Sequence, residues 1–201
     1  MRMRIDLDPG PARTRRTRAT TAVFVDKDGT LLEDVPFNVD PARVRFAPRA
    51  LEGMRLLGDA GHALIVVSNQ SGIALGHFGV PALQRLARAV QAALARQGIV
   101  LDGFYACPHA PGADGRPTCA CRKPRDGLLR VAAREHRIQL DRSWMVGDIL
   151  DDVEAGHAAG CRSVLLDVGH ETEWRLGAAR TPDVITTDLE TAARAILRRL
   201  A

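Results

Sequence analysis

The sequence predicts an α/β fold: a single Rossmann-like three-layer α/β/α domain with a central parallel sheet and no cap domain. Short apolar runs alternate along the chain with longer amphipathic segments. Polar residues that could catalyse a reaction or bind a ligand follow the ends of these runs. This alternation favours parallel strands joined by helices, with ligands bound beyond the carboxyl ends of the strands. A chain of 201 residues, 46% of them hydrophobic, is long enough for one substantial core.

The first half of the chain supplies two predicted strands and two predicted helices. Thr21–Val25 is a β-branched, apolar run, and Ala63–Val67 is continuously apolar, as expected of buried strands. Between them, Pro48–Ala60 carries apolar residues at helical spacing and ends before a glycine. Pro81–Gln97 is a clear amphipathic helix. These elements fill the segments where a cap domain would be inserted, so we expect an open site.

The second half continues the same alternation after an irregular stretch. A short strand at Phe104–Ala106 precedes the stretch, which runs from Cys107 to Arg125. Further helices are predicted at Leu128–His136, Val153–Ala159 and Leu189–Leu200, and further strands at Trp144–Val146 and Ser163–Leu166. The sequence therefore predicts five strands and five helices in one domain, over residues 21–201.

The net charge of +4 comes from the N-terminus, because residues 1–20 hold six Arg and two Asp while the remainder has 22 basic and 22 acidic residues. We expect residues 1–20 to be a disordered, Arg-rich arm. A neutral catalytic body makes a nucleic-acid partner unlikely. No apolar run is long enough to span a membrane, and the N-terminus lacks the apolar stretch of a secretory signal, so we expect a cytoplasmic monomer.

The strongest chemical signal follows the first strand, in the run Asp26-Lys27-Asp28-Gly29-Thr30. Phosphoryl transfer needs a nucleophile and a proton donor for the leaving alkoxide. Asp26 can attack phosphorus, and Asp28 can act as general acid and then as general base. An Asp-Gly turn after a strand is the structural alternative. Arginine outnumbers lysine 26 to 2, and both lysines, Lys27 and Lys123, lie in candidate motifs.

Three later segments supply what the first lacks, each at the end of a predicted element. After the second strand come Ser68, Asn69, Gln70 and Ser71, which offer hydroxyl and N–H groups to phosphoryl oxygens. Lys123 provides a compact cation for the transferred group. Asp148 provides a third carboxylate for a hard cation, and Asp152 could orient Lys123 or a metal-bound water. A helix cap, a solvated lysine and an acidic first helical turn are the alternatives to these readings.

Together these motifs resemble those of the haloacid dehalogenase-type phosphatases: Asp26-x-Asp28-Gly29-Thr30, Ser68, Lys123 and Gly147-Asp148-x-x-x-Asp152. The resemblance covers nearly the whole chain after residue 20. It implies that Mg²⁺ is held by the Asp26 carboxylate, the Asp28 backbone carbonyl and Asp148. It also implies that Ser68 and Lys123 bind the phosphoryl oxygens.

A second group of ligands lies in the irregular loop, residues 107–121. Cys107 and His109, with Cys119 and Cys121, are a soft-ligand set suited to tetrahedral Zn²⁺. Because the one-residue spacers are less usual, a disulfide or free thiols stay open as alternatives. Four protein ligands leave no position for water, so we expect a structural zinc that fixes the loop leading to Lys123. Cys161 is expected to pack in the core.

The combination of this loop with Arg122 and no cap resembles the D-glycero-D-manno-heptose bisphosphate and histidinol-phosphate phosphatases. The resemblance implies substrate contacts at Asp34, Val35, Pro36 and Phe37, and implies that Arg122 is the recognition arginine, suited to a second phosphate. We expect a small phosphorylated sugar as substrate. Histidinol phosphate and a phosphorylated nucleic-acid end remain as alternatives, and a non-catalytic zinc-bearing binding module is the alternative from another class.

Overall fold

The computed structural model describes residues 3–8 and 20–199. They form one seven-stranded sheet of order β1-β4-β3-β2-β5-β6-β7. The strands are β1 (Met3–Arg4), β2 (Ala22–Val25), β3 (Ala63–Asn69), β4 (Gly103–Cys107), β5 (Trp144–Gly147), β6 (Arg162–Leu166) and β7 (Val184–Thr186). Strands β2 to β7 are parallel, and β1 pairs with β4 in the antiparallel direction.

Helices cover both faces of the sheet: α1 (Ala50–Asp59), α2 (Val80–Arg96), α3 (Gly127–His136), α4 (Leu150–Ala159) and α5 (Leu189–Arg198). Successive side chains of a strand point to opposite faces. In β2, Val23 and Val25 join the core beneath α1, α2 and α5, whereas Ala22 and Phe24 join the core beneath α3 and α4. The strands are thus buried on both sides, which confirms the predicted three-layer architecture and explains their uninterrupted apolar sequence.

All five predicted strands and all five predicted helices are present, with ends shifted by a few residues. Two strands were not predicted, β1 and β7, and both lie at the edges of the sheet. Strand β7 has three residues, Val-Ile-Thr, which is too short a run to predict a strand, and Ile185 is 53% exposed at this edge of the sheet. Among the described helices, none is long and apolar enough to cross a membrane.

The prediction of a disordered arm over residues 1–20 is wrong for residues 3–8. The Ile5 side chain is buried in the core on the α2 side, and the Ile5 N–H donates to the Phe104 carbonyl at 2.9 Å. Asp8 exchanges two hydrogen bonds with the Gln91 side chain of α2, through its N–H and its carbonyl, each at 2.9 Å. Met3, Ile5 and Leu7 alternate with Arg4, Asp6 and Asp8, which is the pattern of a strand with one buried face, but the arginine content of residues 1–20 led to the prediction of an unstructured arm. Residues 9–19, also in the predicted arm, lie outside the described residues.

Candidate active site

The predicted phosphoryl-transfer residues converge at the carboxyl edge of β2, β3 and β5, around the ammonium group of Lys123. The Lys123 side chain is 2% exposed. Its Nζ atom donates to Asp26 Oδ1 and to the Val67 carbonyl at 3.1 Å, and it lies 2.6 Å from Asp152 Oδ1. Burying an ammonium group is costly unless charged partners surround it, and here two carboxylates and one carbonyl do so. The contacts with Asp26 and Asp152 raise the pKa of Lys123 despite its burial, so Lys123 carries a full positive charge.

Asn69 fixes the backbone of Lys123. Its side-chain amide donates from Nδ2 to the Lys123 carbonyl at 3.1 Å and accepts at Oδ1 from the Lys123 N–H at 3.0 Å. This pair of bonds joins the end of β3 to the segment before α3, which is 54 residues away in the chain. The sequence predicts Asn69 as a substrate contact, but in the structure its side-chain amide is hydrogen-bonded to the backbone of Lys123. Asn69 therefore holds Lys123 in position.

Asp148, at the end of β5, faces Asp26. Its carboxylate accepts from Thr30 Oγ1 at 3.0 Å and contacts His170 Nδ1 at 2.7 Å. Gly29 (φ +78°) packs against the side chains of Asp148 and His170, and a Cβ atom there would lie 2.2 Å from Asp148 Oδ2. Burial and the neighbouring Asp26 charge raise the pKa of Asp148 to about 6. The turn after β2 therefore needs glycine, both for its left-handed conformation and for this close approach.

The three carboxylates form a cluster with the composition of a cation site. Asp26, Asp148 and Asp152 each place an oxygen within 4.8 Å of the others. Lys123 contacts Asp26 and Asp152, while burial, together with the charge of Asp26, raises the pKa of both Asp148 and Asp152, as expected where carboxyl groups are crowded together. Carboxylate oxygens are the ligands that Mg²⁺ prefers. Asp26 and Asp148, two of the three Mg²⁺ ligands that the family resemblance implies, both lie in this cluster, and Asp152 contacts Lys123.

Asp28 lies on the other side of the motif and is held through both carboxylate oxygens. Lys27 Nζ is 2.5 Å from Asp28 Oδ1, and Gln70 Nε2 donates to Asp28 Oδ2 at 3.1 Å. Gln70 Nε2 also donates to Ser68 Oγ at 2.8 Å. Burial raises the pKa of Asp28, although Lys27 opposes the shift. A carboxyl group whose neutral form is favoured is suited to donate a proton, and Gln70 links it to the predicted phosphate-binding hydroxyl of Ser68.

The four predicted zinc ligands lie together, and none of the cysteines is in a disulfide. The three sulfur–sulfur distances are 3.3 Å for Cys107 and Cys121, 3.4 Å for Cys119 and Cys121, and 3.6 Å for Cys107 and Cys119, and all four ligand atoms lie within 4.8 Å of one another. A tetrahedral zinc site with Zn–S bonds of about 2.3 Å has sulfur–sulfur edges of about 3.8 Å, so this cluster is close to the size needed. His109 Nδ1 lies 3.5 Å from Cys107 Sγ and 3.4 Å from Cys121 Sγ. Chemistry and dimensions both fit Zn²⁺.

The predicted substrate contacts surround two cavities beside the carboxylates. Phe37 lines a cavity of about 150 Å³ next to Asp28, together with Asn69, Gln70 and Ser71. Asp34 lines a second cavity of about 290 Å³, on the His170 side. The Val35 carbonyl accepts from the Asn38 N–H in the turn that includes Pro36 and connects the two walls. Arg122, next to Lys123 in sequence, donates to the His109 carbonyl at 3.2 Å, which ties it to the cysteine-rich loop.

Sequence reasoning missed three contributions to this site. His170 lies in the segment after β6, for which the sequence suggested no role, yet it contacts Asp148. His77, to which the sequence assigns no role in the site, stacks on Phe37 with ring centroids 4.1 Å apart. Lys27 is almost wholly buried. Only Lys27 carried a signal in the sequence, as one of two lysines in a chain rich in arginine. The contacts of His170 and His77 depend on loop conformations that periodicity does not predict.

Comparison with known proteins shows the superfamily to which the chain belongs. A family model described as HAD-hydrolase-like matches residues 120–192. The crystal structure of D,D-heptose 1,7-bisphosphate phosphatase from B. bronchiseptica, complexed with magnesium and phosphate, superimposes with a TM-score of 0.74 at 30% identity, covering 90% of this chain and 99% of that one. The chain belongs to the haloacid dehalogenase (HAD) superfamily of phosphatases, and it is a phosphoric monoester hydrolase.

Within the superfamily, the chain is similar to curated proteins that are named as heptose bisphosphate phosphatases. The D-glycero-beta-D-manno-heptose-1,7-bisphosphate 7-phosphatase of Photorhabdus laumondii is 36% identical over 188 residues, which are 92% of this chain and 94% of that protein. The protein of the same name from Escherichia coli K12 is 35% identical over 187 residues, 92% of each chain. The similarity therefore spans about nine tenths of the chain.

Proposed function

We propose that the protein is a Mg²⁺-dependent phosphatase that removes the 7-phosphate of D-glycero-D-manno-heptose 1,7-bisphosphate through an aspartyl-phosphate intermediate. The observation that carries the chemistry is the convergence of Asp26, Lys123 and Asp148 at one buried edge of the sheet. The substrate is proposed from the similarity to the heptose bisphosphate phosphatases, which extends over 92% of the chain. HAD phosphatases act with magnesium, and the carboxylates present here fit that ion.

In the first step, a carboxylate oxygen of Asp26 attacks phosphorus, and the bond between phosphorus and the sugar oxygen breaks. Lys123 neutralises charge on the phosphoryl oxygens from a position fixed by Asp152 and Asn69. Bound Mg²⁺ supplies further positive charge to the phosphoryl group. Ser68, from the end of β3, offers its hydroxyl to a phosphoryl oxygen. Because these groups are held before substrate binds, little reorganisation accompanies the reaction.

Asp28 acts as general acid in the first step and as general base in the second. As the sugar oxygen leaves, the carboxyl group of Asp28 donates a proton to it, so that an alcohol departs rather than an alkoxide. A water molecule then attacks the aspartyl phosphate and gives its proton back to Asp28. Inorganic phosphate is released, and the carboxylate of Asp26 is restored. The raised pKa of Asp28, caused mainly by burial, favours the protonated form that the first step needs.

Recognition of the second phosphate is assigned to Arg122. Its guanidinium can bind a phosphate group through two parallel hydrogen bonds. The cysteine-rich loop holds Arg122 through the His109 carbonyl, and the same loop supplies four ligands that fit zinc. We propose that zinc is structural and fixes this loop, since four protein ligands leave no coordination position for a substrate or water.

The test is phosphate release by the purified protein, with and without Mg²⁺. Three substrates are compared: D-glycero-D-manno-heptose 1,7-bisphosphate, histidinol phosphate and a 5′-phosphorylated oligonucleotide. We expect kcat/KM to be highest for the bisphosphate and to depend on Mg²⁺. A preference for histidinol phosphate or the oligonucleotide would keep the chemistry and overturn the substrate.

Two variants separate the mechanism from the substrate. Asp26→Asn should abolish turnover of every substrate, and persistent phosphate release by the pure variant would show that Asp26 is not the nucleophile. Asp40→Asn, at an exposed position before the helical turn Pro41–Arg43, is the matched control and should keep wild-type activity. Absence of release from all three substrates by the wild-type protein would instead favour the non-catalytic binding module.

A further inference from the structure

Lys27 is a buried charge that the proposed mechanism does not use. It lies between the two aspartates of the first motif, and its side chain is 2% exposed. Its Nζ atom is 2.5 Å from Asp28 Oδ1. Burial of an ammonium group is tolerated only where a charged or polar partner compensates it, and the carboxyl group of Asp28 is that partner here. The position of the Lys27 side chain is therefore linked to the orientation of the Asp28 carboxyl group.

The other oxygen of Asp28 has a different partner. Gln70 Nε2 donates both to Asp28 Oδ2 at 3.1 Å and to Ser68 Oγ at 2.8 Å. Ser68 is the hydroxyl proposed to bind the phosphoryl group, so Oδ2 lies toward that group. Lys27 contacts the other oxygen of this carboxyl group, Oδ1. Two contacts from different sides remove the freedom of the carboxyl group to rotate about its own axis.

The cavity beside Lys27, Asp28 and Gln70 explains why the orientation of the Asp28 carboxyl group matters for catalysis. Lys27, Asp28 and Gln70 line a cavity of about 150 Å³, and the Asp28 side chain is 30% exposed, enough to reach a bound molecule. A general acid acts only when the oxygen that carries the proton lies within hydrogen-bond reach of the leaving group. A carboxyl group free to rotate would present the correct oxygen for a fraction of the time, and a misplacement of about 1 Å is already costly to a reaction rate.

We propose that Lys27 is a positioning residue for proton transfer: by holding Oδ1 of Asp28, it directs Oδ2 toward the phosphoryl site as the oxygen that exchanges the proton with the leaving group and with water. The proposal rests on the assignment of Asp28 as general acid. Lys27 itself takes no part in the proton transfer. Gln70, predicted from the sequence as a substrate contact, holds Oδ2 in place until substrate arrives.

Leaving-group dependence tests this role, because a good leaving group needs no proton. We would measure kcat/KM for heptose 1,7-bisphosphate, whose sugar oxygen needs a proton to leave, and for p-nitrophenyl phosphate, which releases a stable phenolate. The ratio kcat/KM is chosen because it reports the steps up to departure of the leaving group and excludes the shared hydrolysis of aspartyl phosphate. Asp28→Asn serves as the reference, and we expect a loss of about 10²–10⁴-fold on the sugar phosphate with a much smaller loss on the aryl phosphate.

Lys27→Met removes the charge and keeps the length of the side chain. We expect a loss of about ten- to a hundredfold on the sugar phosphate and of less than about threefold on p-nitrophenyl phosphate. Lys27→Arg keeps a positive charge beside a cavity with room for the larger head group, so it should recover part of the selective loss. If Lys27→Met fails to fold, as judged by circular dichroism, the comparison of Lys27→Arg and Lys27→Gln takes its place, with the larger selective loss expected for the neutral variant.

Three outcomes overturn the proposal. Equal losses on both substrates would show a structural role. A rise in KM for the bisphosphate without a change in kcat would show that Lys27 binds substrate directly. A selective loss in Asp28→Asn without one in Lys27→Met would leave the proposed function intact and remove Lys27 from it. The absence of a selective loss in Asp28→Asn itself would mean that the assignment of the general acid has failed.

Discussion

Substitution of Ile5 by alanine tests whether the N-terminal segment is part of the folded domain. Ile5 is 3% exposed and packs in the core on the α2 side of the sheet, although it stands in a segment whose sequence suggests an unstructured arm. Ile185, on the opposite edge strand β7, is 53% exposed and provides a matched control for the same substitution.

The magnitude follows from the side-chain atoms removed. An Ile→Ala change deletes three carbon groups, each worth about 0.8 kcal/mol when buried, which gives about 2.4 kcal/mol before any cavity is counted. A residual cavity adds to this loss, and buried Ile→Ala changes cost about 2–5 kcal/mol. A terminal segment can also detach, so the loss cannot exceed the free energy with which residues 3–8 dock on the domain. We therefore expect Ile5→Ala to lower the free energy of unfolding by about 2–3 kcal/mol.

Urea unfolding followed by tryptophan fluorescence measures this change, since Trp144 lies buried in β5. For a chain of this length, a loss of 2–3 kcal/mol corresponds to a fall in Tm of about 4–12 °C. Ile185→Ala should cost less than about 1 kcal/mol. Equal and small losses in the two variants would refute the inference that residues 3–8 form a strand of the fold. Deletion of residues 1–8 should cost at least as much as Ile5→Ala.

Three further predictions concern the site, the loop and a hydrogen-bonded aspartate. Asn69→Ala removes both bonds that hold the backbone of the phosphate-binding lysine, and kcat should fall by about tenfold or more while the fold persists, as circular dichroism would show. Cys119→Ser should lower the zinc measured by mass spectrometry and the Tm, whereas Cys161→Ser, outside the cluster, should retain the metal. Burial opposes ionisation of Asp183, but its hydrogen bonds with His157 and a backbone N–H outweigh this effect and lower its pKa. The stability contributed by the Asp183 carboxylate is therefore present above its ordinary pKa of 3.8 and is lost as the pH falls further, and Asp183→Asn should flatten this part of the stability–pH curve.

The sequence predicts the chemical residues well because of where they stand relative to the strands. Asp26, Ser68 and Asp148 each follow or end an apolar run, and parallel strands bring such positions to one edge whatever the details of packing. The order of the strands was not needed for that conclusion. Lys123 is a different case, because it follows an irregular loop, and its position depends on Asn69 and on the loop's cysteine cluster.

Edges and loops were less predictable, for a physical reason. Strand β7 is only three residues long, too short to show periodicity or a continuous apolar run, and in residues 3–8 the alternation of Met3, Ile5 and Leu7 with charged residues spans only six positions of an Arg-rich segment. His170 reaches Asp148 from a segment without regular structure, and the pairing cannot be read from spacing. These contacts follow from tertiary packing, which acts on the chain only after the predicted elements have assembled.

The two lysines of this arginine-rich chain show how charge is placed at the site. Both are almost fully buried, and each contacts an aspartate of the first motif: Lys123 binds Asp26, and Lys27 binds Asp28. An ammonium group is compact and has three donors, whereas a guanidinium has five donors in a rigid plane and needs more acceptors when buried. Around Lys123, two carboxylates and the Val67 carbonyl match the three donors of an ammonium group. Lysine at position 123 therefore satisfies all its donors, whereas arginine, used almost everywhere else in the chain, would bring five donors to the same three partners.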